Sequence, residues 1–462
     1  MNASAFQLGE RLGQRKTRSA VVGLGYVGLP LAVEIAGRGY DVIGVDISES
    51  VVNGVNAGQS HIRDVSHTLV QEHVRAGRLT ATTDMSILAQ CDTISVCVPT
   101  PLNKIKDPDL SFVIAVAGAI RDHLRPGQLI ILESTTYPGT TREVFLPILQ
   151  QSQYRLDEDF FVCFSPERVD PGNPVWHTRN TPKVIGGLSP LSLQIGLQFY
   201  GSIFETMVPV ESAEAAELVK VYENTFRMVN IALANEMAAT CDRLGLDVWG
   251  VIEAAATKPF GFMKFVPGPG LGGHCIPLDP HYLSWKMRTL SFKTRLIELA
   301  SEINSDMPAY VVRKITAALN DSARAVRGSW ILVLGIAYKK NIDDIRESPA
   351  LEIIRLLQEE GAQVLYHDPL CPVIEDDGHT SITGLPMRSV PITPGLLGAL
   401  DAAVIVTDHS SVDYADVAEH APLIVDTRGV MRNIKGRARV IGLSGTEIAP
   451  AAPAPAIYAV AG

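Results

Sequence analysis

Cysteine is scarce in this sequence, and positive charge is not in excess. Six cysteines (Cys91, Cys97, Cys163, Cys241, Cys275 and Cys371) stand among 462 residues, with no Cys-x-x-Cys pair. That density cannot build a disulfide scaffold and points to a reducing compartment, where a special cysteine is chemical rather than structural. Lys and Arg number 40 against 50 Asp and Glu, a net charge of -10. This argues against a general nucleic-acid binder, which needs a positive surface, and leaves room for a small anion held by a few local cations. Long apolar runs are lacking too. The uncharged stretch from Ser19 to Val33 contains Gly23, Gly25, Gly28 and Pro30 and falls short of the roughly 20 residues that span a bilayer. A soluble cytoplasmic protein is expected, with no membrane partner and no metal. Hydrophobic residues at 46% and charged residues at 19% are ordinary globular values, and the length suits about two to four domains.

From Ser19 the chain alternates Val/Ile-rich runs with helical stretches. The runs cover 19–25, 41–47, 92–98, 128–134, 160–166 and 182–187. Such runs, bounded by turns, fit strands buried on both faces, and the alternation predicts a doubly wound parallel α/β sheet. The pattern breaks near Glu211. No Gly or Pro occurs from Ser212 to Leu244, where Leu218, Val219, Tyr222, Phe226, Val229, Leu233 and Met237 recur at three- and four-residue spacing. This predicts one long amphipathic helix stopped by Gly245. Roughly 50 Å long at 1.5 Å per residue, it would bridge two domains or form a dimer surface. A Gly/Pro-rich loop follows over 258–280, and the β/α alternation restarts in runs at 330–338, 363–369, 402–408 and 422–428. The expected divisions are a loose tail over 1–18, a Rossmann domain over 19–210, a helical domain over 211–326, a smaller Rossmann-like domain over 327–445, and an Ala/Pro-rich tail over 446–462.

Gly23-Leu24-Gly25-Tyr26-Val27-Gly28 follows the first expected strand and opens the first expected helix. There the glycines permit a tight turn, close approach of a pyrophosphate, and close helix–strand packing. Asp46 lies 18 residues after Gly28, at the end of the next strand. Its carboxylate can accept from a ribose 2′-OH and would repel a 2′-phosphate, so NAD is expected rather than NADP. Val98-Pro99-Thr100-Pro101 leaves its strand on the carboxyl edge, where open α/β sheets bind ligands; a rigid loop without ligand contact is the alternative.

Four glycines and two prolines over Pro267–Gly273 make a loop that can wrap a ligand with its amides. Cys275 follows, beside His274, and Asp279 comes four residues later. A thiol attacks only as thiolate. On the residues alone, Cys275 reads equally as a structural thiol. Lys220 and Asn224 share a face of the long helix, where Lys220 could equally be a solvated lysine. Two further polar clusters stand out: Ser165–Gly172, which could be a capped turn between strand and helix, and Lys339-Lys340 with Asp344 and Arg346, which could be a solvated charge run or hold a phosphate.

Together these segments resemble the UDP-glucose/GDP-mannose dehydrogenase family. The matching pieces run in family order: VVGLGYVGLPLA (21–32), VDIS (45–48), VPTP (98–101), ESTTYPGTT (133–141), SPERVDPGN (165–173), AELVKVYENTFR (216–227), GPGLGGHCIPLDP (268–280) and GIAYKKNIDDIRES (335–348). The resemblance implies a two-step NAD-dependent oxidation of a sugar C6 alcohol to a carboxylate. It implies an N-terminal Rossmann NAD domain, a central all-helical domain and a C-terminal Rossmann-like domain holding the nucleotide sugar, with a homodimer or higher homo-oligomer formed across the long helix. Cys275 then matches the catalytic thiol, Lys220 and Asn224 the helix pair, Asp279 the proton-transfer aspartate, Glu167 the glutamate of the S-P-E turn, and Thr135 the threonine after its strand. Implied cofactor contacts are Gly23, Gly25, Tyr26, Val27, Gly28, Asp46, Pro99, Thr100, Thr135 and Arg346. Implied contacts to a UDP-sugar are Glu167, Arg168, Lys220, Asn224, Lys264, Gly272 and Lys339. The stretch 258–286 looks most like dehydrogenases of UDP-N-acetylhexosamines, especially the UDP-N-acetyl-D-glucosamine type, with Phe262–Lys264, Arg168 and Asp170 as the contacts that would choose the sugar. A UDP-glucose 6-dehydrogenase is the alternative, followed by a β-hydroxyacid dehydrogenase and a non-catalytic NAD-binding regulator.

Overall fold

A computed structural model of the chain describes residues 3–103, 107–170, 172–173, 175–273, 275–376 and 381–445. His274 and the Ala/Pro-rich end expected over 446–462 lie outside the described residues. The chain forms two compact units, residues 1–223 with 278–293 and residues 224–277 with 294–462. The segment expected as a separate helical domain is thus shared between them.

The first unit is built on an eight-stranded sheet. Its strands are β1 (Arg18–Val22), β2 (Asp41–Val45), β3 (Leu79–Thr82), β4 (Thr93–Val96), β5 (Gln128–Leu132), β6 (Phe160–Phe164), β7 (Lys183–Gly187) and β8 (Met207–Pro209), in the order β3-β2-β1-β4-β5-β6-β7-β8. All residues of β4, β5, β6 and β7 are buried, which is why their sequences are unbroken apolar runs rather than alternating ones. Pairing is parallel from β3 through β6. In this register Val22 lies beside both Val45 and Val96, so three chains leave the sheet level with one another. The expected all-parallel sheet ends at β6, because β7 pairs with β6 antiparallel. The described residues linking the two strands contain no helix, and without a helical crossover the chain returns in the opposite direction.

Residues 3–13 form a helix where a loose tail was expected. Ala5, Leu8 and Leu12 are buried, in one core cluster with Phe199 and Tyr200. Gln198 Nε2 donates to the Gly9 carbonyl (2.7 Å), and Arg11 pairs with the buried Asp92. β3 and β8 were also missed. Only Leu79 is buried in β3 and nothing in β8; β3 alternates with threonine, and β8 is only three residues long.

The second unit holds β9 (Trp330–Leu334), β10 (Gln363–His367), β11 (Val373–Ile374), β12 (Met387–Arg388), β13 (Ala402–Ile405), β14 (Leu423–Asp426) and β15 (Arg439–Gly442). Five of them form a parallel sheet ordered β10-β9-β13-β14-β15, and β11 pairs with β12. The expected long helix runs from Ala213 to Leu244 and ends at Gly245, whose φ of 67° is the left-handed stop foreseen. Ala213 and Ala216 enter a core of the first unit, and Ala238 and Cys241 a core of the second. Among the described residues no helix is long and apolar enough to cross a membrane.

If the N-terminal helix is an integral part of the core, Leu8→Ala should cost about 2–5 kcal/mol of unfolding free energy. Differential scanning calorimetry should show a lower transition temperature; an unchanged transition would mean that the segment is dispensable.

Candidate active site

The glycine fingerprint forms the turn between β1 and the helix Gly28–Gly37. Gly23 sits at φ 87°, and a Cβ there would meet the Cys97 carbonyl oxygen at 2.6 Å. A Cβ at Gly28 would fall 1.7 Å from the Gly23 carbonyl oxygen, whereas one at Gly25 would meet nothing within 4 Å. Two glycines are thus required by backbone packing, and the middle one leaves open space beside the helix start. No side chain caps that helix at Val27, so its first N–H groups can bind an anion. Tyr26 is exposed. Asp46 emerges from β2, where its carboxylate accepts from Leu24 N–H (2.8 Å) and Ser48 N–H (2.9 Å). It fixes the fingerprint turn from below and retains lone pairs for a ribose hydroxyl. These residues fit a dinucleotide.

The loops leaving β4, β5 and β6 are tied together. Thr100 Oγ1 donates to the Thr135 carbonyl (2.7 Å), and Ser134 Oγ to the Val98 carbonyl (2.8 Å). Tyr282 donates its hydroxyl to the Thr100 carbonyl. Pro99 is exposed and Thr100 buried. Glu167 accepts from Arg168 N–H (2.7 Å) and Val169 N–H (2.9 Å) on one oxygen and from Lys183 Nζ (3.2 Å) on the other. Burial alone would raise the Glu167 carboxyl; Lys183 and the two amides outweigh it and hold the group below its ordinary range. Arg168 turns to Glu223 on the long helix (2.5 Å).

Lys220 and Asn224 lie one turn apart on the long helix, both buried. A solvated lysine was one reading of Lys220. Its burial, at 8% exposure, sets that reading aside, and no carboxylate partner pairs with it among the described residues. One turn earlier, Glu217 accepts from Gly139 N–H (2.5 Å), Thr141 N–H (2.8 Å) and Thr141 Oγ1 (2.6 Å). This joins the long helix to the chain that follows Thr135. Burial raises the Glu217 carboxyl to about 7 against the opposing pull of these hydrogen bonds.

Cys275 is exposed, while the other five cysteines are buried. It begins the helix Cys275–Thr289, and Asp279, buried, follows one turn later on the same face. The preceding glycine loop is committed to the protein more than expected. Gly268 N–H donates to Asn235 Oδ1 (2.9 Å), and Gly273 N–H to the Arg346 carbonyl (2.9 Å). A Cβ at Gly272 would lie 2.5 Å from the Tyr338 Cβ, so this glycine is required by packing. Lys264 is exposed.

In the second unit Lys339 lies on the loop after β9, partly buried. Arg346 folds back on Asp344, Nη2 to Oδ2 at 2.6 Å. Asp368, after β10, repeats the arrangement of Asp46: it accepts from Ile336 N–H (2.8 Å) and Ala337 N–H (3.2 Å). It also meets His409 Nε2 at 3.0 Å, while His409 Nδ1 accepts from Asn341 N–H at 3.0 Å. Through these two contacts the His409 ring braces the Lys339 loop. Against burial, His409 and the amides hold the Asp368 carboxyl at about 2. Asp368, His409, Glu217, Lys183 and Glu133 were not foreseen. Their common signal is a polar side chain where an apolar strand or helix face should continue.

Compared with known families, residues 17–204 match the NAD binding domain of the UDP-glucose/GDP-mannose dehydrogenase family, residues 214–306 its central domain, and residues 332–433 its UDP binding domain. The chain is 33% identical over 426 residues to UDP-N-acetyl-D-mannosamine dehydrogenase of Methanococcus maripaludis, covering 89% of this chain and 93% of that one. It is 36% identical over 393 residues to UDP-N-acetyl-D-glucosamine 6-dehydrogenase of Pseudomonas aeruginosa, covering 85% and 90%. Among solved structures, UDP-D-ManNAc dehydrogenase from Pyrococcus horikoshii matches with a TM-score of 0.83 at 32% identity, covering 92% of this chain and 99% of that one. The fingerprint and the paired Rossmann-type sheets are thus those of an NAD-dependent nucleotide-sugar dehydrogenase. The chain belongs to the UDP-glucose/GDP-mannose dehydrogenase family.

The raised Glu217 carboxyl has a definite sign. Between the usual 4.5 and about 7 the folded protein binds more protons than the unfolded chain, so this contribution to stability is full below that window and is lost as pH rises through it. Glu217→Gln, which cannot titrate, should therefore change the slope of melting temperature against pH between 4.5 and 7, removing a fall that wild type shows. Parallel curves would refute the assignment.

Proposed function

We propose that this enzyme oxidises the C6 hydroxyl of a UDP-N-acetylhexosamine, with UDP-N-acetyl-D-glucosamine as the first choice, to the uronate through a covalent bond to Cys275. The observation that carries this reading is the exposed Cys275 at the first turn of a helix with Asp279 one turn on. A helix start favours negative charge, as a thiolate nucleophile requires. Bound NAD would accept the hydride released in each oxidation.

The chain's own residues have five tasks. In the first oxidation C6 loses a hydride and its hydroxyl loses a proton, which Asp279 can pass to solvent, leaving the aldehyde. The Cys275 thiolate adds to the C6 aldehyde carbon, and the C=O π pair moves to oxygen, giving the thiohemiacetal oxyanion. The Lys220 ammonium and the Asn224 amide stabilise the oxygen charge; one lost donor of this kind typically costs about 10²–10³ in rate. Loss of hydride from C6 re-forms the carbonyl as a thioester. Asp279 takes a proton from the attacking water, the C–S bond breaks with its electron pair leaving on the thiolate, and the carboxylic acid so formed gives its own proton to solvent as the uronate separates. Glu167, Arg168, Lys264, Gly272 and Lys339 are assigned to the sugar nucleotide. Pro99, Thr100, Thr135 and Arg346 join the fingerprint residues toward the cofactor. The choice of an N-acetylhexosamine is supported by the names of the relatives above, which act on N-acetylmannosamine and N-acetylglucosamine forms.

A homodimer across the long helix is part of the proposal. Leu218, Tyr222, Phe226, Leu233, Met237 and Leu244 remain exposed along it, an apolar stripe of the kind that marks an interaction surface. A cytoplasmic setting follows from the need to keep Cys275 reduced.

Wild type should form two NADH per UDP-N-acetyl-D-glucosamine, followed by absorbance at the nicotinamide band. Cys275→Ala should yield no uronate, and Lys220→Ala should lower turnover about 10²–10³-fold. One NADH per sugar, or uronate formation by Cys275→Ala, would overturn the covalent route. Turnover of UDP-glucose alone would overturn the substrate choice.

A further inference from the structure

Beneath the loops of the first unit lies a buried row of charges to which the reaction above gives no task. Lys183, the first residue of β7, donates to Glu133 Oε2 at 2.6 Å and to Glu167 Oε2 at 3.2 Å. Glu133, directly after β5, accepts from the Tyr200 hydroxyl at 2.5 Å on its other oxygen, and that hydroxyl lies 2.9 Å from Ser95 Oγ in β4. The side chains of Glu133 and Lys183 are 0% and 3% exposed, whereas that of Glu167 is 14% exposed. The row therefore begins inside the sheet and reaches the surface at Glu167. It also spans β4, β5 and β7, whose ends carry the loops at 97–101 and 133–139 and the end of the segment that contains Glu167.

Stability does not account for it. A buried ion pair is commonly no better for folding than apolar side chains of the same size, because desolvation offsets the attraction. β7 could have begun with such a side chain, as β6 does with Phe160. What the lysine supplies is orientation: it fixes one Glu167 oxygen while the Arg168 and Val169 amides fix the other. The carboxylate cannot rotate, and its uncommitted lone pairs point in set directions.

We propose that Lys183, braced by Glu133, is a positioning residue that holds Glu167 ionised and in one orientation for contact with the sugar nucleotide. This rests on the reading that Glu167 meets the substrate. The titratable groups around Glu167 are Lys183 on β7, Glu133 after β5, Cys97 after β4, Tyr200 on the helix Pro190–Tyr200, and its neighbour Arg168, which is turned to Glu223 on the long helix. Lys183 is the cation that meets the Glu167 carboxylate directly. Desolvation would lower the Lys183 ammonium, yet the two carboxylates push it up to about 12, so it stays charged in the working range, while burial raises the Glu133 carboxyl against the pull of Lys183.

The test separates positioning from core structure. In the double variant Glu133→Gln/Lys183→Met both buried charges leave together, and melting temperature should stay near that of wild type. Turnover of UDP-N-acetyl-D-glucosamine should still fall about 10²-fold, as expected for a misplaced group, with KM for NAD unchanged. Glu167, now buried without a cation, should shift the acid side of the kcat/KM profile to higher pH than in wild type. Wild-type kcat with an unshifted profile in the double variant would overturn the proposal. Lys183→Arg keeps the charge and should keep the wild-type profile whether or not the double variant folds; an acid side shifted upward there would equally overturn it. Wild type that turns over no UDP-N-acetylhexosamine would instead reject the reaction assigned above, a separate failure visible before any variant is made.

Discussion

Parallel pairing of β1 with β2 and β4 sets where everything functional leaves the first sheet. Because Val22, Val45 and Val96 are level, Gly23, Asp46 and Cys97 emerge together, and the Asp46 carboxylate can reach the Leu24 amide. A slip of the register would move the carboxylate away from the fingerprint turn and drive the Cys97 carbonyl out of the space that Gly23 leaves for it. Helix packing imposes the same demand from the other side, since any side chain at Gly28 would strike the Gly23 carbonyl. Backbone geometry thus forms the dinucleotide turn before any side chain is considered.

The second unit repeats this device with different chemistry. Asp368 binds the amides after β9 as Asp46 binds the one after β1, but His409 is added behind it. The repetition is visible in space and not in sequence. Gly335 has no companion glycines there, and His409 lies 41 positions from the aspartate it meets.

Much of the architecture was legible because buried parallel strands must be written as unbroken Val/Ile runs, and ten of the runs became strands within a few residues of their expected limits. The strands that escaped detection are at edges, where half the side chains meet solvent and no run is needed. The fingerprint was legible from glycine spacing, and Cys275, Lys220 and Asn224 from a resemblance to a family; burial then separated Lys220 from an ordinary surface lysine. The Glu133–Lys183–Glu167 row was not legible. Its members come from three segments, and a charged residue next to a strand is usually solvated. The N-terminal helix was hidden for a related reason: its three buried residues, Ala5, Leu8 and Leu12, sit in a short segment among polar ones and give too weak a periodicity to distinguish a packed helix from a tail.

That helix also affects how the protein is handled. The family match starts at residue 17, after the helix has ended. A gene trimmed to the matched segment would remove the lid over the Phe199 and Tyr200 side of the first unit and leave Asp92 with one arginine, Arg125, in place of two. Aromatic surface would then face water, and preparations shortened in this way would tend to clump for reasons unrelated to the chemistry of the enzyme.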